Sequence, residues 1–109
     1  MRISLNGKAV AFSGDTAVCD GLFAAADGVD LLVAECTTLA PPAGRHCTWQ
    51  DWRELLEPGG PRPIGARRVL LTHLGADVRR EAPTLAAWHA ERPGAPSLAF
   101  AEDGMVVTP

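Results

Sequence analysis

Two runs in this chain, Asp30 to Cys36 (DLLVAEC) and Val69 to Leu74 (VLLTHL), are nearly continuous in apolar residues over the length of a strand. A strand with one wet face alternates apolar and polar residues. An unbroken run predicts a strand covered on both faces, as in a parallel sheet. Each run also ends in a group able to do chemistry, Glu35 in the first and His73 in the second.

The surrounding segments set the order of elements. Asn6-Gly7 between Ile3 to Leu5 and Lys8 to Ser13 is a two-residue hairpin signal, because both residues tolerate positive φ. Val18 to Ala26 reads as a helix, with Asp15 or Thr16 as its N-cap and Gly28 as its stop. Pro41, Pro42 and Gly44 predict a loop, and Thr48 to Leu56 a helix capped by Thr48 with Asp51 three residues on. After the Pro/Gly-rich segment Pro58 to Gly65 come a strand, Arg67 to Thr72, and a helix, Thr84 to Glu91. Ser97 to Ala101 and Met105 to Thr108 are expected to close the chain as a hairpin around Glu102 to Gly104. The order β-β-α-β-α-β-α-β-β predicts an α/β or layered α+β fold. Three helices suffice for one face of such a sheet, so the other face needs a different cover.

At 109 residues the chain is one domain at most. With 10 basic and 13 acidic residues it lacks the electrostatics of a nucleic-acid binder, which leaves nucleic acid only as a substrate. No run approaches the roughly 20 apolar residues of a membrane span, and Met1 to Gly14 is not patterned as a signal peptide, so the expected location is the cytoplasm. Cys19, Cys36 and Cys47 are odd in number and lack CxxC spacing; they read as reduced, buried small hydrophobes without chemistry. Trp49 and Trp52 read as core, His89 as a packing or solvated residue, and Arg67-Arg68 as a solvated strand start.

The chemistry lies in the turns that follow strands. SGDT, Ser13 to Thr16, delivers one carboxylate, Asp15, at the end of Lys8 to Phe12, and VLLTHL delivers one imidazole, His73. Taken singly, Asp15 could simply cap the next helix and His73 could be a hydrogen-bonded strand-end histidine. Glu35, after an apolar strand, calls for a cation or donor, with His46 and Arg45 as the nearby choices.

Together, AFSGDTAVCDGLFAAADGVDLLVAECT, RHCT, GARRVLLTHL and AEDGMVV resemble the C-terminal half of the metallo-β-lactamase fold hydrolases, in the branch related to ribonuclease Z. The resemblance implies half of an αββα sandwich, a mixed sheet with helices on one face. It implies that Asp15 bridges two metal ions, zinc or alternatively manganese, and that His73 binds one of them. By the same resemblance His46, the histidine of an HxT element, serves the leaving oxygen, and Glu35, in AECT where the family has HEAT, orients His46. The family's HxHxDH motif is absent; the three histidines are His46, His73 and His89. Met1 therefore falls where an internal strand of the complete domain would begin, and residues 1–109 are expected to be one partial domain that binds metal weakly or not at all alone. The implied activity is hydrolysis, of phosphodiesters first and of esters or lactones next. The rival reading is a catalytically silent half-domain that pairs with a second copy or with a separate N-terminal half.

Overall fold

The computed structural model of this protein describes residues 2–14, 17–44 and 46–108. Five strands form one sheet in the order β1-β2-β3-β4-β5, namely β1 Arg2–Leu5, β2 Lys8–Phe12, β3 Leu31–Glu35, β4 Arg68–Thr72 and β5 Ser97–Phe100. β1 and β2 are the antiparallel hairpin, with Leu5 opposite Lys8 and with Asn6 and Gly7 at φ 53° and 78°, as a two-residue primed turn requires. The other three pairings are parallel.

That topology decides where the helices go. From β2 to β5 each crossover steps to the next neighbour in one direction, and right-handed crossovers then place α1 (Asp20–Ala26), α2 (Trp49–Leu55) and α3 (Ala76–Ala90) on a single face. The core agrees. Ala11, Leu32, Ala34, Val69, Leu71 and Phe100 cluster with residues of all three helices, whereas Val10 and Leu31, which point the other way, are buried outside that cluster. The alternation of strands and helices is the α/β order expected from the residue pattern, and the mixed sheet with helices on one face is what the family resemblance implies.

α2 begins as its sequence predicts. Thr48 Oγ1 accepts from the Asp51 N–H at 3.2 Å, and an Asp51 carboxylate oxygen accepts from the Thr48 N–H at 2.9 Å, a complete capping box. β3 is buried almost throughout, but β4 alternates between buried and half-buried positions, so its second face is less covered than its apolar run implies.

Three elements depart from expectation. α1 starts at Asp20, with Cys19 at the N-cap position but without a side-chain capping hydrogen bond; the predicted caps Asp15 and Thr16 lie outside the described residues. α3 starts eight residues before Thr84 and runs through Pro83, because Asp77 accepts from the backbone N–H groups of Leu39 and Val78 while the fully buried Val78 ties its first turns to the core. The closing hairpin does not form. β5 pairs in parallel with β4 instead, and after a turn at Gly104 (φ 78°) residues 105–108 make no strand. That segment runs over the helix-free face. Met105 and Val107 line a cavity of about 350 Å³ with Leu31, Leu70 and Ala99, and Arg68 donates to the Thr108 carbonyl at 2.6 Å.

Candidate functional site

Because β2 to β5 are parallel, their carboxyl ends share one edge of the sheet, the edge at which open α/β sheets bind ligands. Glu35 is the last residue of β3, and its side chain is 3% exposed. A carboxylate this deeply buried requires partners. His46 Nδ1 lies 2.8 Å from Glu35 Oε1, and His73 Nδ1 lies 3.6 Å from Oε2, too far for a hydrogen bond. The two imidazole rings meet edge to face at 5.8 Å between centroids. One buried carboxylate thus stands between two histidines that are 27 residues apart in sequence. Oε2 itself has no hydrogen-bond partner among the described residues.

Local structure sets each of these positions. His73 follows β4 directly and has φ 53°, a left-handed conformation uncommon for any residue but glycine, which turns the chain sharply at the strand end. Two residues later the Gly75 N–H donates to the Thr37 carbonyl at 2.9 Å, and a Cβ at Gly75 would collide with that oxygen. His46 is brought in by the β3–α2 connection, which is stitched to the strand end by Thr37 N–H to Cys47 carbonyl at 3.0 Å and Trp49 N–H to Thr38 carbonyl at 2.8 Å. Trp52 of α2 donates its indole N–H to the Glu35 carbonyl at 2.8 Å.

The sequence-derived residues therefore divide into two groups. Glu35, His46 and His73 come together. Asp15 lies outside the described residues, as does Arg45, the other partner considered for Glu35; the strand that leads to Asp15 ends at the same edge, with Ser13 N–H on the Val33 carbonyl at 2.9 Å. Beside His73 opens a cavity of about 410 Å³ that Arg79, Glu102 and Asp103 also line. The sequence assigns none of these three to the site; Glu102 and Asp103 figure there only in the expected closing turn. The signal for Glu102 and Asp103 is position, since they follow β5 at the same sheet edge as His73 follows β4; Arg79, within α3, carries none.

The cysteines add no catalytic group. Burial, reinforced by neighbouring acids, pushes the Cys36 and Cys47 thiols up to about 12, so both are neutral near pH 7; Cys19 is exposed, contrary to the expectation of burial. His89 is buried, its Nε2 2.7 Å from the Pro96 carbonyl, and it packs at the end of α3. Among the described residues no three His, Cys, Asp or Glu side chains are grouped to hold a metal ion.

No protein-family profile matches the chain. Its backbone superposes on the metallo-beta-lactamase fold protein YhfI from Bacillus subtilis with a TM-score of 0.64, over 95% of this chain and 41% of that one, at 21% sequence identity. The chain has the metallo-β-lactamase fold. In sequence it is similar to a ribonuclease Z from Gemmatimonas aurantiaca, with 34% identity over an alignment of 80 positions that takes in 69% of the chain. The chain spans about a quarter of that relative's length, 24%, and about two-fifths of YhfI. Among the described residues no helix is long and apolar enough to cross a membrane.

Proposed function

We propose that the strand-end cluster is part of a metal-dependent hydrolase centre, acting on phosphodiesters first and on esters or lactones next, in the cytoplasm. The observation that carries this reading is the buried Glu35 carboxylate held between His46 and His73 at the carboxyl edge of the sheet. Facing Oε1, His46 keeps its proton on Nδ1 and leaves Nε2 to exchange a proton with the leaving oxygen, as in other carboxylate-imidazole pairs. Glu35 orients that ring. His73, with its side chain 59% exposed, would hold metal through its imidazole, and Asp15 would hold it through its carboxylate.

The described residues do not fit a metal centre on their own. Zinc, or manganese in its place, enters this reading only with Asp15 and with ligands beyond the described residues, so residues 1–109 are proposed to be one part of a complete domain. Zinc titration calorimetry on the 109-residue chain tests the assignment. Binding is expected to be weak, weakened further by Asp15→Asn or His73→Ala, and unchanged by His89→Gln. Binding indifferent to Asp15 and His73 would remove the reading. Comparing a nitrophenyl phosphodiester with an ester and a lactone ranks the substrate classes.

A second reading is supported by the helix-free face. Ile3, Leu5, Met105 and Val106 are its large exposed apolar side chains, beside half-buried Leu70. Large apolar side chains left exposed on one sheet face are the feature a docking surface presents. On this reading the chain is a catalytically silent module covered by a second copy or by a separate N-terminal half. Light scattering after gel filtration separates the two copies from the one.

A further inference from the structure

Among the described residues, strand β3 has no β2 partner beyond Val33, two residues before its functional residue. The β2–β3 pairing closes with the Ser13 N–H on the Val33 carbonyl. Alternate residues of a strand direct their backbone groups to the same edge, so the Glu35 carbonyl, two residues on, faces the side that β2 has left. A buried carbonyl without a partner is destabilising. Trp52, fully buried in α2, supplies the missing donor through its indole N–H at 2.8 Å.

The same helix fixes the other half of the pair. Its capping box starts at Thr48, two residues after His46, and the Cys47 carbonyl accepts from Thr37. Hence α2 bonds the Glu35 carbonyl through Trp52 and begins two residues after His46, so both sides of the 2.8 Å contact adjoin one element.

We propose that Trp52 is a positioning residue of the site: its indole hydrogen bond sets the end of β3 so that the Glu35 carboxylate meets His46 Nδ1. The proposal rests on the Glu35–His46 reading above and goes beyond it by giving a residue read as core a role in the site. Phenylalanine keeps an apolar ring and removes the N–H.

The test is long-range ¹H–¹⁵N NMR of histidine-labelled full chain at one pH above the imidazole range, comparing wild type, Trp52→Phe and Val78→Ala. Val78 is equally buried but lies in α3, so its truncation costs packing without removing the indole donor. Wild-type His46 is expected in the Nδ1–H form. Trp52→Phe should shift it toward the Nε2–H form of free imidazole, by at least several-fold in tautomer ratio, while Val78→Ala leaves it in place. A folded Trp52→Phe protein with the wild-type tautomer overturns the proposal alone. Wild-type His46 without the Nδ1 proton overturns the Glu35–His46 reading and the proposal with it. Should Trp52→Phe not fold, proton exchange in the wild type decides: Trp52 Nε1–H and His46 Nδ1–H opening together supports the proposal, and His46 opening while the indole stays protected overturns it.

Discussion

The two faces of the sheet are built from the same strands yet are stabilised differently. On the helix side, Ala11, Leu32, Ala34, Val69 and Leu71 are 5% exposed or less and join a continuous core with the tryptophans of α2. On the other side, Val33 and Leu70 remain half-buried, Ile3 and Leu5 are exposed, and the cover is an irregular segment, residues 105–108. Apolar side chains alone do not separate the faces, since Val10, Leu31, Val33 and Leu70 lie on the second face beside Lys8 and Arg68. Connectivity does: right-handed crossovers that all step the same way can cover only one side. A nearly continuous apolar strand therefore reports that both faces are meant to be covered, without saying that this chain covers both.

The sharpest way to break that comparison is to truncate adjacent residues of β4. Leu71→Ala, on the closed face, should cost about 2–5 kcal/mol in denaturant unfolding, whereas Leu70→Ala should cost about 1 kcal/mol. Equal losses would mean the second face is packed as tightly as the first. Next in size is α3, whose Pro83 lacks the N–H for an intrahelical bond at its eighth position; Pro83→Ala is expected to raise stability by about 2 kcal/mol. Thr48→Ala, which opens the capping box of α2, should cost about 1 kcal/mol, and its loss should exceed that of any exposed residue of β1.

Alkaline pH probes the closed face through its thiols. With Cys36 and Cys47 pushed up to about 12 from an ordinary 9.0, the folded state retains protons that the unfolded state releases above pH 9. Stability from this source is full below pH 9 and falls as pH rises toward 12, and the fall should shrink in Cys36→Ala measured by urea unfolding at pH 7 and pH 10. The smallest stability change belongs to the open face. Ile3→Thr should move unfolding by no more than about 0.5 kcal/mol. Any self-association seen by light scattering should nonetheless weaken in that variant.

Much of the site was legible because its residues end recognisable elements. The apolar run before Glu35, the Thr48/Asp51 cap shortly after His46, and the run before His73 each place a functional group at a strand end or helix start. What escaped the reading depends on contacts between distant segments. Pro83 is a strong local stop signal, overruled by the burial of Val78 and by Asp77 accepting from Leu39, 38 residues earlier. The closing hairpin was a sound local expectation that lost to parallel pairing of β5 with β4. Trp52 looked like core, and it is; its N–H finds Glu35 only once α2 packs under the end of β3.

Residue pattern alone determined the first hairpin, the α2 cap, the alternation of strands with helices and the kinds of chemical group at the strand ends, because those features arise from backbone preferences and apolar spacing within a few residues. Only the tertiary structure decided that all helices share one face, that His73 adopts φ 53°, and that a single carboxylate stands between His46 and His73. Such features are set by which segments become neighbours, and that is a property of the whole chain's packing.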